Sequence, residues 1–235
     1  MYIAETFHSL QGEGALTGTP SFFIRTSGCN LRCRWCDTPY ASWKPEGVQR
    51  SIDSLVTEAT SQHACKHAVL TGGEPLAAKD IHPLAHALKH AGFHLTIETA
   101  GTIPPDGIPC DLASISPKLS NSTPPENSLP DAQRQRHEST RLNPSIIASW
   151  MRHADYQLKF VVSSASDLVE IHSLRDALAR EGVSPPASKI FLMPEGISIE
   201  SLATKRSWLI DVCRETGFRL CERMHILWFG NKRGT

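Results

Sequence analysis

The chain reads as an α/β protein built on a mainly parallel sheet, and three observations predict this. Short apolar runs alternate with longer amphipathic segments almost from end to end. The runs are rich in Phe, Ile, Leu and Val and are bounded by Gly, Pro or Ser. Polar motifs fall immediately after them, at the edge of a parallel sheet where sites assemble.

Taken in order, strands are expected at 21–26, 68–70, 94–97, 111–115, 156–162 and 189–193, with helices at 52–62, 81–91, 144–153, 165–181 and 199–216. The helix at 165–181 opens on Ser164-Ala165-Ser166-Asp167 and closes on Glu181-Gly182, an N-cap and a C-cap signal. Strand–helix–strand repetition calls for right-handed crossovers. Residues 218–229 are expected to add one or two further strands. One segment breaks the rhythm. Residues 119–142 carry hardly an apolar side chain and predict a surface loop or insertion.

The 235 residues suit a single domain, 1–235, and 40% hydrophobic content is enough for a proper core. Lys+Arg and Asp+Glu both number 24, so the net charge is zero. That balance argues against a basic nucleic-acid footprint or a polybasic membrane surface. No apolar run approaches the ~20 residues of a membrane span. Met1 to His8 contain neither a basic nor an apolar block of a signal peptide, so a cytoplasmic protein is expected.

Of seven cysteines, Cys65, Cys110, Cys213 and Cys221 are scattered and read as small structural hydrophobes. Cys29, Cys33 and Cys36 crowd into one CxxxCxxC loop. A structural zinc, the bland alternative, needs a fourth ligand that no nearby CxxC or HxxxH supplies. Three thiolates suit an iron–sulfur cluster with one iron left open. Beside them, the Thr38 hydroxyl, substrate oxygens and water form a donor set for Mg²⁺.

Further motifs follow the expected strands: Thr71-Gly72-Gly73-Glu74-Pro75, Glu98-Thr99-Ala100-Gly101, Ser116-Pro117-Lys118 and Met193-Pro194-Glu195-Gly196. Glu74 and the carbonyls near Gly72 and Gly73 are expected to accept hydrogen bonds from a ligand ammonium. Arg25 interrupts the apolar strand Phe22-Phe23-Ile24, and grips either a ligand carboxylate or a structural partner. Leu10-Gln11-Gly12-Glu13-Gly14 reads as a turn or as part of a site. Lys118 and Lys159 favour ligand contact. His82, His86 and His90 share a helix face that reads as solvated rather than metal-binding.

The cysteine loop followed by Gly-Gly-Glu-Pro resembles the radical S-adenosylmethionine (SAM) superfamily. A closer resemblance spans nearly the whole chain. Leu10 to Gly14, Arg25, Cys29 to Thr38, Thr71 to Pro75, Glu98-Thr99 and Ser116 to Lys118 look like the 7-carboxy-7-deazaguanine synthase family. The resemblance implies a partial TIM-type barrel in a homodimer, with Cys29, Cys33 and Cys36 holding a [4Fe–4S] cluster whose open iron chelates SAM. Trp35, Asp37, Gly73, Ser116, Pro117 and Lys118 would line the SAM site. Leu10, Gln11, Gly12, Glu13, Arg25 and Thr71 would contact 6-carboxy-5,6,7,8-tetrahydropterin, and Thr38 would ligand Mg²⁺.

The implied chemistry is reductive cleavage of SAM to a 5′-deoxyadenosyl radical, hydrogen abstraction at C6, ring contraction and loss of ammonia, with SAM regenerated. Electrons would come from an external donor such as flavodoxin or ferredoxin. The family's chain end approaches the substrate, which brings in His225, Trp228 and Thr235. This chain ends in threonine where the family often has proline. Two other readings are a glycyl-radical-enzyme activase and a zinc-stabilised binding module.

Overall fold

The structure, a computed structural model, describes residues 1–235. Nine strands form one sheet in the order β3-β1-β2-β4-β5-β6-β7-β8-β9. They are β1 (Tyr2–Leu10), β2 (Pro20–Thr26), β3 (Val48–Gln49), β4 (His67–Gly72), β5 (His94–Thr99), β6 (Leu112–Ile115), β7 (Asp155–Val162), β8 (Ile190–Pro194) and β9 (Arg219–Leu220). From β2 to β9 every neighbour is parallel. β1 runs antiparallel to both β2 and β3. The sheet ends at β3 and β9 without closing, which makes it a partial barrel.

Helices α1 (Ile52–Ser61), α2 (Ile81–His90), α3 (Asp131–Thr140), α4 (Pro144–His153), α5 (Asp167–Arg180) and α6 (Ile199–Thr216) fill the connections, and α7 (Met224–Phe229) ends the fold. Each of the six strands and five helices expected between residues 21 and 216 is present within a few residues. α5 closes at Gly182, which takes a left-handed φ of 78°. Its start differs from the serine cap expected. Asp167 itself accepts hydrogen bonds from the Ser163 and Ser164 backbone N–H groups at 2.7 and 3.1 Å.

Three expectations are corrected. Residues 2–10 form a strand that the sequence reading left unassigned. Residues 218–229 yield one two-residue strand and then helix α7, because Gly12 O accepts the Met224 N–H and Arg223 is pinned in the interior. Residues 119–142 are not a plain loop, since α3 occupies Asp131–Thr140. Its ten residues bury only His137, so no apolar period marks it. Ala, Gln, Arg and Glu supply intrinsic propensity instead, with Asp131 in the first turn.

The alternation of side chains along the strands decides where the site lies. Phe22 and Ile24, Ala68 and Leu70, Leu95 and Ile97, Ala113 and Ile115, Leu158 and Phe160, and Ile190 and Leu192 face the helices in one buried core. The intervening positions face the concave side. Arg25 on β2, Thr71 on β4, Glu98 on β5, Ser114 on β6 and Lys159 on β7 all line the cavity there. The same period that builds the core therefore sorts the polar groups onto the other face. On α2, Ile81, Leu84, Ala85 and Leu88 are buried and His86 and His90 are exposed, a solvated histidine face as expected.

Candidate active site

The concave face encloses a cavity of about 470 Å³. Of the sequence-selected residues, Leu10, Gln11, Gly12, Glu13, Arg25, Trp35, Asp37, Thr38, Thr71, Gly73, Ser116, Lys118, His225 and Thr235 line it. Pro117 and Trp228 do not. Two of the glycines are fixed by close approach. A Cβ on Gly73 would sit 2.4 Å from Gly28 O and 2.6 Å from Ala41 O, and one on Gly12 would sit 2.6 Å from His225 Nδ1.

The cysteine loop is held to the sheet by its backbone. Gly28 N–H donates to Ala41 O and Glu74 N–H donates to Gly28 O, at 2.8 and 3.0 Å. Cys33 is buried, while Cys29 and Cys36 are partly accessible, and all three pack around Leu31 and Ala100. Burial pushes the Cys29 thiol up to about 11 and the Cys33 thiol up to about 12, so metal loading must displace their protons.

The donor set fits an iron–sulfur cluster in two respects. Leu31 N–H donates to Cys29 Sγ at 3.3 Å, a contact of the kind that tunes cluster thiolates. The three thiols also share one small packed cluster around Leu31 and Ala100, a donor set of sulfur alone that suits iron–sulfur ligation. The other four cysteines are free and sit apart from this loop, with Cys65 Sγ donating to His67 O and Cys221 Sγ accepting from Gly14 N–H.

One wall of the cavity is ionic. Glu13 pairs with Lys159 through Oε2 and with Arg223 Nε at 3.2 Å through Oε1, and His225 Nδ1 lies 3.9 Å from the latter oxygen. Arg223 also pairs with Asp37 and donates to Gly196 O at 2.6 Å. Burial alone would raise the Glu13 carboxyl, but Lys159 and then Arg223 outweigh it and hold it far below 4.5. Burial likewise opposes the Lys159 charge, and Glu13 more than restores it. Burial keeps His225 below the usual 6.5, hence neutral near pH 7.

The other wall is a set of prepared hydrogen bonds. Glu98 accepts from Gln11 Nε2 at 3.1 Å and from Thr71 Oγ1 at 2.9 Å. Arg25 Nε pairs with Glu5 Oε1 at 2.7 Å, its cross-strand neighbour on β1, and Glu5 also accepts from Tyr40 O–H at 2.7 Å. The guanidinium thus has a structural partner while its two terminal nitrogens make no hydrogen bond within the protein. Near the SAM-type motif, Lys118 Nζ donates to Ser116 Oγ at 2.7 Å and lies 5.6 Å over the Trp35 ring.

Two strand-end carboxylates do not serve as expected. Glu74 is fully buried and its oxygens accept from Thr99 Oγ1, Ala100 N–H and Leu76 N–H, which leaves nothing for a ligand ammonium. Glu195 turns away to Lys205 at 3.1 Å, although its neighbour Gly196 anchors Arg223. Arg223 and Glu5 escaped the sequence reading. Neither lies beside a glycine motif, and Glu5 would have stood out only if residues 2–10 had been recognised as a strand facing Arg25.

Residues 23–114, from β2 to β6, match the Radical SAM superfamily model. A 7-carboxy-7-deazaguanine synthase of Rhodopirellula baltica is 50% identical over 100% of this chain and 89% of its own length. The chain belongs to the 7-carboxy-7-deazaguanine synthase family. Another member, from Halobacterium salinarum, is 42% identical over 96% of the chain and 90% of its own length. The crystal structure of QueE from Escherichia coli superposes with a TM-score of 0.66 at 26% identity, covering 95% of this chain and 94% of that one. Streptococcus suis SuiB shares the fold alone, with a TM-score of 0.55 at 12% identity over 84% of this chain and 47% of its own. As a member of the family, this chain is a radical SAM lyase, and the activase and zinc-module readings fall away.

Proposed function

We propose that this enzyme converts 6-carboxy-5,6,7,8-tetrahydropterin to 7-carboxy-7-deazaguanine with loss of ammonia. The observation that carries the reading is the cavity wall formed by Arg25, Glu98, Gln11 and Thr71, which is made for a small heterocycle with a carboxylate at one end and N–H donors at the other. The free terminal nitrogens of Arg25 take the substrate carboxylate in a two-point grip. Glu98, already oriented by Gln11 and Thr71, has lone pairs left for the amino and ring N–H groups of the pterin.

Cys29, Cys33 and Cys36 would hold the [4Fe–4S] cluster, and Trp35, Asp37, Gly73, Ser116 and Lys118 form the SAM side of the cavity, with Pro117 outside the lining between the last two. When bound, these groups supply the one-electron chemistry that begins the reaction. The chain's own contribution is to orient the substrate and exclude stray C–H bonds and water from a reactive carbon centre. Lys159 stays charged and holds Glu13 in place. Neutral His225 borders the same wall beside Glu13.

Thr38 is the proposed Mg²⁺ ligand. Its hydroxyl has no partner closer than Cys36 Sγ at 3.8 Å, whereas the adjacent Asp37 carboxylate is committed to Arg223. Mg²⁺ held there would offset the negative charge of the substrate, so Thr38→Ala is expected to blunt the response of turnover to added magnesium. Electrons arrive from an external flavodoxin- or ferredoxin-type donor, the active form is a homodimer in the cytoplasm, and Leu10, Gly12 and Thr235 complete the substrate shell.

The deciding experiment is anaerobic incubation of the reconstituted enzyme with SAM, a reductant and the carboxypterin. Appearance of 7-carboxy-7-deazaguanine is expected. Unchanged pterin while SAM is still cleaved would overturn the assignment.

A further inference from the structure

The segment 119–142, read from the sequence as a surface loop or insertion, makes three contacts with the cysteine loop, and a fourth within the segment steadies His137. Arg32 N–H donates to His137 Nδ1 at 3.1 Å. Arg34 N–H donates to Ser122 O at 2.9 Å. Trp35 Nε1–H donates to Asn121 Oδ1 at 3.1 Å. Ser122 Oγ lies 3.2 Å from His137 Nε2 and donates its own proton to Leu119 O at 2.6 Å. These partners leave one arrangement of protons. The Arg32 amide can only donate, so Nδ1 accepts; Nε2 then carries the hydrogen and gives it to Ser122 Oγ. His137 is 1% exposed, and burial holds it below the usual 6.5, in keeping with a neutral ring.

The segment is itself anchored on the opposite side. Asn121 Nδ2 donates to Val161 O at 3.0 Å and to Asp167 at 2.9 Å, and Arg141 pairs with Glu170 at 2.7 Å. It therefore spans from the start of α5 and the end of β7 to the residues between the cluster cysteines. The two backbone N–H groups of the cysteine loop that it takes up, those of Arg32 and Arg34, lie between Cys29 and Cys36, in a stretch with no regular secondary structure of its own.

We infer that residues 119–142 are a brace that holds the cysteine loop in its cluster-binding shape before the cluster is loaded, with His137 as its central positioning residue. A loop bound in advance loses less conformational freedom on metal loading, and so binds iron more completely.

The test reads the metal-free chain and iron loading, with no carboxypterin present, so it stands apart from the synthase reading. In His137→Leu, hydrogen exchange of the peptide 29–36 should quicken about tenfold, the worth of one lost hydrogen bond. Iron bound per chain after anaerobic reconstitution should fall to less than half. His137→Asn, whose side-chain oxygen takes the place of Nδ1, should restore both. Asn121→Ala, which frees Trp35 and releases the segment from Val161 O and Asp167, should shift exchange and iron in the same direction, and it decides the matter if His137→Leu does not fold. Unchanged exchange and iron loading in a folded His137→Leu or in Asn121→Ala overturns the inference, as does His137→Asn behaving like His137→Leu.

Discussion

Arg223 and Asp37 lie 186 positions apart in the chain and form an ion pair at the wall of the cavity. Through Nε the same guanidinium reaches Glu13, so one side chain from the C-terminal segment joins the cysteine loop to the β1–β2 loop.

Removing it should therefore be costly. Arg223→Met leaves Glu13 short of one cation and Asp37 without any, and about 3 kcal/mol of stability should be lost, less than a fully buried pair because Asp37 is partly exposed. Urea unfolding at constant slope reads the change. Arg223→Lys should rescue little, since an ammonium cannot reach Glu13, Asp37 and Gly196 O from one plane. A wild-type midpoint in Arg223→Met would remove the pin.

Gly73→Ala should act on both stability and cofactor binding. The added methyl meets Gly28 O and Ala41 O, backbone atoms at the base of the cysteine loop that cannot swing aside. The expected loss is about 1–3 kcal/mol, with weaker SAM binding by calorimetry. Equal SAM affinity in the variant would show that the loop tolerates the shift.

Arg25→Ala should leave iron content and SAM binding intact and weaken the carboxypterin by about 2 kcal/mol, or roughly thirtyfold in Kd. Glu5→Gln keeps the shape of the Arg25 partner while removing its charge, and should weaken the pterin less. If Arg25→Ala binds the carboxypterin as tightly as the parent, Arg25 serves Glu5 alone.

The pH dependence of folding follows from groups whose protonation changes on unfolding. His137 and His225 are held below 6.5 when folded, so the unfolded chain binds more protons and stability falls as pH drops through 6.5. Glu13 and Asp37, held below 4.5 and 3.8, add to the loss at lower pH still. Lys159, raised above 10.5 by Glu13, loses its contribution as pH climbs past 10.5. Glu74, raised by burial, works weakly against the acid trend. The buried Cys29 and Cys33 thiols keep their protons where the unfolded chain loses them, so stability also falls as pH climbs past 9. Greatest stability is expected between about pH 7 and pH 9. Urea midpoints that rise on acidification below about pH 6 would contradict this.

The parallel part of the fold was legible because its strands are apolar on the buried face and close on Gly or Pro. Strand β1 was not, since Glu5, Thr6, His8 and Ser9 leave it too polar for a core strand; it pairs near the sheet margin and turns Glu5, Phe7 and Leu10 to the cavity. Helix α7 escaped because Ile226, Trp228 and Phe229 favour strands locally and tertiary anchoring at Arg223 and Met224 overrides them. In the site, the motif residues were found because Gly and Cys carry strong local signals. Arg223, Glu5 and the service of Glu74 to Thr99 depend on partners 20 to 210 positions distant, which no local window contains.

The bond between Glu13 and Arg223 closes a span of 210 positions. Contacts of that range form late, after the loop entropy between them has been overcome. The cysteine loop and its Gly-Gly-Glu support are made of nearer neighbours and can be in place earlier. During folding the thiols are therefore expected to gather before the charged wall beside them forms. Oxygen and stray metals have their best chance in that interval, and recovery of loadable protein should depend on how quickly the two ends of the chain meet.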